Sequence, residues 1–351
     1  MQPTLIKALR RQPTGFTPIW IMRQAGRYLP SYRAVRQKYS FHEMVYTPDV
    51  AAEVTLQPVE QIGVDAAILF SDILVVPEAL GMRLQFVEGK GPVFEEPIRR
   101  PEQVDILPFS QAAERLQPVY DAVRIIRSEL GGRVPLIGFA GAPWTLAAYM
   151  IEGQGSKEFR HARAFLYAEP VVLHRLLQGL TEAIVDYLRR QVEAGAQALQ
   201  IFDSWAGYLT PDQFRLFALP YLRKIAEELS DLPVPVIVFA RGAAHALAEL
   251  SRIGADALSI DWQTDLQWAR TVTGGRVSLQ GNLDPIALYA PKDVLKREVE
   301  RVLQKYGAAP GHVFNLGHGI LPDAPVDHVK ALVDFVHELS PKYHGFETVD
   351  A

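Results

Sequence analysis

The segment PVVLHRLLQGLTEAIVDYLRRQVEAGAQALQIFDS, residues 170–204, joins a helix pattern to a strand pattern. Apolar residues recur at helical spacing along its first part, at Leu173, Leu177, Leu180, Ile184, Leu188 and Val192. Gly195 can end this helix, because glycine readily adopts the left-handed conformation that terminates helices. The run Ala198–Phe202 is typical of a buried parallel strand and stops directly before Asp203 and Ser204. The segment therefore predicts a helix packed on a parallel sheet, with polar residues at the end of the strand.

The same alternation extends over the whole chain. Eight short apolar runs predict strands at Pro18–Met22, Ala66–Phe70, Val134–Phe139, Ala198–Phe202, Val234–Phe239, Ala257–Ile260, Val277–Leu279 and His312–Leu316. Amphipathic segments predict helices at Gln111–Leu130, Ala243–Ile253, Asp265–Thr273, Pro291–Tyr306 and Pro325–Glu338, with another that begins at Pro48 and is kinked or broken at Pro58. We expect one α/β domain over residues 1–351, a single (β/α)8 TIM barrel with its active-site cleft at the C-terminal ends of the strands. A doubly wound sheet is the alternative, since counting strands does not separate the two.

The composition is that of an ordinary globular protein. The 351 residues are 48% hydrophobic and 22% charged, and the net charge is −4. No apolar run is long enough to span a membrane, and the first residues lack the apolar core of a secretory signal. The chain has no cysteine, which excludes disulfides, thiolate metal ligands and a thiol nucleophile. We expect a cytoplasmic protein with no nucleic-acid or membrane partner.

Positive charge is concentrated near the N-terminus. Residues 1–42 contain eight Lys or Arg and no Asp or Glu. A local excess of this kind can steer an anionic partner toward the protein. The alternative is a basic arm that lies over acidic surface elsewhere in the molecule.

Polar residues follow the predicted strands, at the end of a barrel where active sites form. They are Arg23, Arg27, Ser71, Asp72, Trp144, Tyr149, Asp203, Ser204, Arg241, Asp261, Asn282, Asp284 and His318. The set holds three arginines, several acids and one histidine, which is a poor ligand set for a transition metal. We therefore expect no metal site.

The strongest local signal is IWIMRQAGRYLPSYR, residues 19–33. Arg23 and Arg27 lie on either side of Gly26, which lets the backbone approach a ligand closely. Guanidinium groups bind carboxylate or phosphate oxygens two at a time. The pattern predicts an anion site, and the alternative for any single arginine is a salt bridge at the rim of the barrel.

Three further candidates each have a structural alternative. Asp72 directly follows the second predicted strand and could instead cap the following helix. Tyr149 could be a half-buried helix residue without a function. A lone histidine such as His318 is usually structural, but it lies between two glycines in NLGHG, which indicates backbone folded tightly around a ligand.

Together these segments resemble the uroporphyrinogen decarboxylase family over almost the whole chain, from about Pro18 to His337. The resemblance rests on motifs in the order of the family: MRQAGRYLPSYR at 22–33, LQP at 56–58, DAAILFSDILVVPEALG at 65–81, GFAGAPWT at 138–145, FDSWAG at 202–207, GNLDP at 281–285 and NLGHG at 315–319. Chance agreement over so many independent motifs is very improbable.

The resemblance implies a (β/α)8 barrel, usually a homodimer, that acts in the cytoplasm in haem and chlorophyll synthesis. The implied reaction converts the four acetate side chains of uroporphyrinogen III to methyl groups, giving coproporphyrinogen III and CO₂ without a cofactor. Its implied substrate-binding residues are Arg23, Gln24, Ala25, Gly26, Arg27, Arg36, Asp72, Tyr149, Ser204 and His318. Its implied catalytic residues are Asp72, Arg23, Tyr149 and His318.

These residues suit the chemistry of such a substrate. Decarboxylation needs an electron sink, which a cofactor supplies in many enzymes, but a protonated pyrrole can take that role here. An ionised Asp72 that accepts bonds from pyrrole N–H groups would oppose the positive charge that develops on the ring. Because a guanidinium such as that of Arg23 is a poor acid, the easier proton donors are His318, Tyr149 or a water.

Two other functions remain open on the same scaffold. Cobamide-dependent methyltransferases resemble the chain in fold, but they use zinc with Cys ligands, and this chain has no cysteine. A non-catalytic tetrapyrrole-binding protein would need the arginines but not a charged Asp72. Turnover of uroporphyrinogen separates that protein from an enzyme.

Overall fold

The computed structural model describes residues 2–87 and 91–344. Within them, seven parallel strands form one sheet and two antiparallel strands form a hairpin. In chain order the strands are β1 (Ala67–Ile68), β2 (Leu84–Val87), β3 (Gly91–Phe94), β4 (Leu136–Gly141), β5 (Ala198–Asp203), β6 (Val236–Ala240), β7 (Ala257–Ser259), β8 (Ser278–Gln280) and β9 (His312–Val313). The order in the large sheet is β1-β4-β5-β6-β7-β8-β9. It therefore follows the chain without the reversal that a doubly wound sheet requires.

Seven of the eight predicted strands are confirmed as members of this sheet. The first prediction, Pro18–Met22, is not a regular strand, since only Ile19 pairs, in a single parallel bridge to Phe314 beyond β9. Backbone hydrogen bonds nevertheless join the segment to both edges of the sheet. The amide of Phe314 donates to the Pro18 carbonyl and the amide of Asp65 donates to the Ile19 carbonyl, each over 2.8 Å.

A buried ladder of polar side chains also holds this segment. The indole Nε1 of Trp20 donates to Oε1 of Gln280 in β8 over 2.8 Å. Nε2 of Gln280 donates in turn to Gln200 in β5 and to Ser259 in β7, both over 3.1 Å. Because buried polar groups cost free energy unless they are paired, these bonds favour one position of the N-terminal segment against the sheet.

Helices occupy most connections between the strands, as predicted. They are α1 (Thr4–Leu9), α2 (Pro30–Lys38), α3 (Phe41–Tyr46), α4 (Pro48–Gln61), α5 (Val75–Ala79), α6 (Glu102–Asp105), α7 (Gln117–Leu130), α8 (Pro143–Glu152), α9 (Arg160–Ala168), α10 (Pro170–Ala194), α11 (Pro211–Phe217), α12 (Leu219–Glu228), α13 (Leu247–Leu250), α14 (Leu266–Thr273), α15 (Lys292–Tyr306) and α16 (Val326–Leu339). None of the helices in the described ranges is long and apolar enough to cross a membrane.

Two helix predictions are only partly right. The segments Gln111–Leu130 and Ala243–Ile253 each begin with short 3₁₀ turns, and regular helix is confined to α7 and α13. A break at Pro58 is wrong, because α4 continues through that residue and Ile62 donates to its carbonyl over 3.0 Å. Proline lacks the N–H that would donate one backbone hydrogen bond, and the helix ends three residues later, at Gln61.

Helix α1 lies at the end of the sheet where the strands begin. Its apolar residues Leu5 and Leu9 are fully buried. The hydroxyl of Ser278, the first residue of β8, donates to the carbonyls of Ala8 and Leu9 over 2.8 and 2.9 Å. The helix therefore covers the N-terminal ends of the strands and leaves the opposite end for a cleft.

Candidate active site

A cleft of about 530 Å³ opens at the C-terminal ends of the strands. Its size lies in the range of small-molecule sites. Eight of the predicted site residues line it, namely Arg23, Gln24, Ala25, Gly26, Arg27, Asp72, Ser204 and His318. Tyr149 and Arg36 are not on its wall. Much of the remaining wall is apolar and aromatic, with Phe70, Phe139 and Phe202 among its residues. Their side chains also belong to the packed core, and their positions in the sequence therefore gave no sign that they line a cleft.

Arg23 reaches the cleft through an uncommon backbone conformation. Its φ is +65°, in the left-handed region that non-glycine residues seldom occupy. Gly319 makes room for its side chain, since a Cβ there would lie 2.5 Å from Arg23 Cδ. A Cβ at Gly26 would lie 2.8 Å from the carbonyl oxygen of Arg23. Gly26 and Gly319, which belong to motifs far apart in the sequence, therefore leave room for the backbone and the side chain of Arg23.

Gln24 holds the loop instead of extending its side chain into the cleft. It is fully buried; its Oε1 accepts from the amide of Ile21 over 3.0 Å, and its Nε2 donates to the carbonyl of Ala66 over 2.9 Å. Arg33 braces the far side by donating to the carbonyl of Arg27 over 2.8 Å. The side chain of Gln24 is therefore unavailable for the predicted substrate contact, and its backbone amide already donates to the carbonyl of Ile21 over 2.8 Å.

Asp72 is half-buried in the loop after β1. Its Oδ1 accepts over 2.8 Å from the amide of Leu74, which lies two residues further along the chain and directly before α5. Leu74, not Asp72, is the residue that precedes α5, and its side chain makes no capping bond. Burial raises the pKa of Asp72 above its ordinary value, while the Leu74 amide and the positive charge of Arg23 act in the opposite direction. Apart from the Leu74 amide, the carboxyl group has no hydrogen-bond donor among the described residues that would favour its charged form.

His318 lies between two aromatic rings. Phe239 and Trp262 are nearly parallel to it, with ring centroids 6.3 and 6.1 Å away. Burial, together with the smaller effects of the positive charges of Arg23 and Arg241, lowers the pKa of His318 to about 3. The imidazole is therefore neutral at pH 7, and its Nδ1 has no hydrogen-bond partner among the described residues.

Tyr149 lies on α8 beside the cleft. Its ring packs edge-on against Trp205 and Phe159, with centroids 5.8 and 6.2 Å away. Burial raises the pKa of Tyr149 to about 12, with a further contribution from the charge of Asp72. The phenol therefore keeps its proton at neutral pH and lies within the electrostatic reach of Asp72.

A hydrogen bond that the sequence did not predict joins α8 to the end of β5. The hydroxyl of Thr145 donates to Oδ1 of Asp203 over 2.6 Å and accepts from the amide of Trp205 over 3.1 Å. Asp203 is fully buried, and burial raises its pKa to about 7. Thr145 precedes Tyr149 by one helical turn and Asp203 precedes Ser204, so the bond aligns two predicted substrate contacts. Only the contact itself could reveal it, since the two residues are 58 positions apart.

Several other basic residues of the N-terminal segment bind backbone carbonyl oxygens. Arg36 donates to the carbonyl of Tyr39 over 2.7 Å, and Arg11 donates to that of Arg276 over 3.3 Å. Across the described residues, the salt bridges include no Lys or Arg from positions 1–42. The alternative of a basic arm paired with acidic surface is therefore not what the structure shows.

Comparison with known proteins identifies the family of the chain. The family model for uroporphyrinogen decarboxylase (URO-D) matches residues 1–339. The uroporphyrinogen decarboxylase of Alkalilimnicola ehrlichii is 52% identical over 345 residues, which cover 97% of this chain and 94% of that protein. The chain belongs to the uroporphyrinogen decarboxylase family. The protein of that name from Salinibacter ruber is also 52% identical, over 96% of this chain and 95% of its own length.

The motif resemblance is thus confirmed at the level of the family. Among solved structures, a methyltransferase from Methanosarcina mazei superposes with a TM-score of 0.80 over 96% of this chain and 99% of its own. Its sequence is only 24% identical, so the likeness concerns the fold alone. The family and this neighbour together support a TIM-barrel-like architecture.

Proposed function

We propose that the protein decarboxylates the four acetate side chains of uroporphyrinogen III to give coproporphyrinogen III and CO₂, without a cofactor. One observation carries the proposal. In a member of this family, the cleft brings Arg23 and Arg27 from one loop together with Asp72 from another, against an apolar wall. Such a cleft can bind the face of a macrocycle while its rim holds charged substituents.

The arginines are assigned to substrate carboxylates. Neither Arg23 nor Arg27 forms a salt bridge with a carboxylate of the described chain, so their guanidinium groups can accept those of a ligand. Each charge-assisted hydrogen bond of this kind contributes roughly 1.5–3 kcal/mol. Ser204 and the backbone amides of Ala25 and Gly26 would supply neutral hydrogen bonds on the same wall.

Asp72 is assigned to the pyrrole N–H groups. Those donors would favour its charged form and so offset the rise in its pKa that burial causes. The negative charge would then stabilise the cationic ring as it forms, an effect that requires no movement of the protein during the reaction. The positive charge of Arg23 lowers the pKa of Asp72 and so acts in the same direction as those donors.

The chemistry balances with one proton consumed for each CO₂ released. Protonation of the ring carbon next to the acetate-bearing carbon makes an iminium system. The electrons of the carbon–carboxylate bond enter that system as CO₂ departs, which leaves an exocyclic methylene group. Protonation of this methylene gives the methyl group, and loss of the ring proton restores the pyrrole.

The proton donor is assigned to Tyr149 or to a water molecule. His318 is a poor choice as a cationic acid, because its pKa of about 3 leaves it neutral at pH 7. Tyr149 carries its proton at that pH. His318 is assigned to substrate binding through its neutral imidazole, and Arg36, away from the cleft wall, to a weaker, longer-range attraction.

Four further properties belong to the same proposal. The Pro18–Met22 segment, although it is not a regular strand, takes the position of the eighth strand and closes the barrel. Its hydrogen bonds to both edges of the sheet support this assignment. Residues 1–351 form one domain, of which 1, 88–90 and 345–351 lie outside the described residues. The protein is a cytoplasmic homodimer in the synthesis of haem and chlorophyll, as the family resemblance implies. It binds neither nucleic acid nor membrane.

Turnover by the purified protein tests the proposal. Incubation with uroporphyrinogen III under anaerobic conditions should release four CO₂ for each coproporphyrinogen III formed, and dialysis against a strong chelator should leave the rate unchanged. Tight binding without CO₂ release would instead identify a tetrapyrrole-binding protein. Activity that is lost on chelation and restored by added metal would contradict the cofactor-free mechanism.

A further inference from the structure

Arg241 carries a positive charge for which the described chain provides no acidic partner. It directly follows β6, at the same end of the sheet as the cleft, and its side chain is half-exposed. Its guanidinium lies over the ring of Trp262, with Cζ 5.3 Å from the ring centroid. No salt bridge among the described residues includes it. A cation stacked on an aromatic face keeps the N–H groups at its edge available for another acceptor.

The turn that bears Arg241 is rigid. The amide of Arg241 donates to the carbonyl of Asp203 over 3.1 Å, and the amide of Gly242 donates to Oδ2 of Asp261 over 2.7 Å. Gly242 has a φ of +75°, and a Cβ there would lie 2.9 Å from Cα of Gly207. The loops after β5, β6 and β7 are thereby fastened to one another. A preorganised turn binds a ligand without first losing conformational freedom.

Arg241 does not line the cleft itself, but Trp262 connects it to His318 on the cleft wall. Trp262, on which it stacks, is nearly parallel to His318, with an interplanar angle of 25°. The charges of Arg241 and Arg23 both act on His318. A neutral imidazole therefore lies near two guanidinium groups that belong to different loops. An anion bound there would relieve their mutual repulsion.

The substrate carries more negative charge than the wall of the cleft can pair. Uroporphyrinogen has eight carboxylates, four on acetate and four on propionate chains. The cationic side chains on the wall are Arg23 and Arg27, and one guanidinium fork pairs with one carboxylate. Further basic groups near the rim are therefore expected to take part.

We infer that Arg241 is an additional carboxylate-binding residue, which with His318 holds one acetate or propionate group of the substrate at the rim of the cleft. The inference rests on the proposed substrate class. It adds a residue from the loop after β6 to the proposed carboxylate-binding residues. Because both kinds of side chain end in a carboxylate, the experiment must separate them.

The test compares Arg241→Gln and Arg241→Lys with Arg223→Gln. Arg223 is an exposed arginine on α12, so its replacement controls for the loss of one positive charge. Binding of two oxidised, fluorescent ligands is titrated, namely uroporphyrin with eight carboxylates and coproporphyrin with four propionates. Thermal unfolding is measured for each variant, together with kcat and KM for uroporphyrinogen III.

Arg241→Gln should bind uroporphyrin about tenfold more weakly, the loss expected for one charge-assisted hydrogen bond. Arg241→Lys should lose less, Arg223→Gln should bind as the wild type does, and the differences should shrink in high salt. Equal losses for both porphyrins assign the contact to a propionate, and a loss for uroporphyrin alone assigns it to an acetate.

Unchanged binding of both porphyrins by Arg241→Gln would overturn the inference. So would weaker binding that accompanies an equal fall in thermal stability in the Lys and Gln variants, because Arg241 would then only support Trp262. The proposed function fails separately, if the wild type binds porphyrins but releases no CO₂. In that case a loss of porphyrin binding in Arg241→Gln would still establish the carboxylate contact.

Discussion

Gly319 lies directly against the side chain of Arg23, where an added Cβ would come within 2.5 Å of Cδ and 2.9 Å of Nε. The contact joins the first and the last motif of the chain, which are almost 300 residues apart. Arg23 is thus placed by packing as well as by its own loop.

Gly319→Ala should displace the Arg23 side chain and raise KM for uroporphyrinogen III about tenfold, the equivalent of one charge-assisted hydrogen bond. Thermal stability should change little, because a flexible side chain can move away from the new methyl group. Steady-state kinetics and thermal unfolding measure the two effects.

Two other glycines serve as controls for this variant. Gly155→Ala should be silent in both measurements, since an added Cβ would meet nothing within 4 Å. Gly317→Ala should lower stability, because its Cβ would lie 2.2 Å from the backbone nitrogen of Trp262. Normal KM in Gly319→Ala would mean that the position of Arg23 is unimportant for binding.

Asp72→Asn should lower kcat by about 10²–10³, the usual cost of losing one preorganised electrostatic partner. The amide can still accept from Leu74, as Asp72 does now, so the turn before α5 should survive. Asp72→Glu keeps the charge and should retain more activity than the Asn variant. Measurement of kcat and thermal stability for both variants checks this order.

A purely structural Asp72 would give the reverse result. Asn supports such turns and caps about as well as Asp does, whereas Glu does so poorly. An Asn variant with near-normal turnover would therefore exclude the catalytic assignment.

Arg27→Ala should weaken binding of uroporphyrinogen more than binding of porphyrinogens with fewer carboxylates. The reason is that its guanidinium lines the cleft without an acidic partner in the described chain. The difference should shrink in high salt, because screening weakens exposed charge interactions. Dissociation constants across a carboxylate series, with Arg223→Ala as the control, measure it. Equal losses that are insensitive to salt would make Arg27 a structural residue.

His337 makes part of the stability dependent on pH. Its Nε2 lies 2.8 Å from Oδ2 of Asp65, and the same oxygen accepts from the amide of Ile19 over 2.8 Å. The hydrogen bond to Asp65 raises the pKa of His337. A raised pKa means that the stabilisation is fully present below the ordinary value of about 6.5 and declines as the pH rises through the higher folded value.

The Tm of His337→Gln should therefore lie below that of the wild type at pH 5.5, and the gap should narrow toward pH 8. The exposed His161 offers a control, whose replacement by Gln should leave a small gap at every pH. A gap that widens with rising pH would contradict the proposed ion pair.

Local pattern predicted the strands well where their burial is complete. The runs that became β4, β5 and β6 are buried along almost their whole length, so their sequences are apolar whatever surrounds them. The segment Pro18–Met22 has a similar composition but pairs only at Ile19. Whether such a run becomes a regular strand depends on how closely it fits between the two edge strands of the sheet. That fit is not encoded by the neighbouring residues in the sequence.

The amino-acid sequence was sufficient to predict the family, the parallel α/β architecture and the loops that carry the candidate site. Polar residues that follow buried parallel strands must gather at one end of the sheet, which is why Arg23, Asp72 and His318 could be chosen. Tertiary packing decided what each of them can do. Burial and two distant arginines keep His318 neutral, Gln24 is committed to backbone groups, and Arg36 lies away from the cleft wall. These outcomes depend on desolvation and on contacts between residues far apart in the chain, and neither quantity can be read from a local pattern.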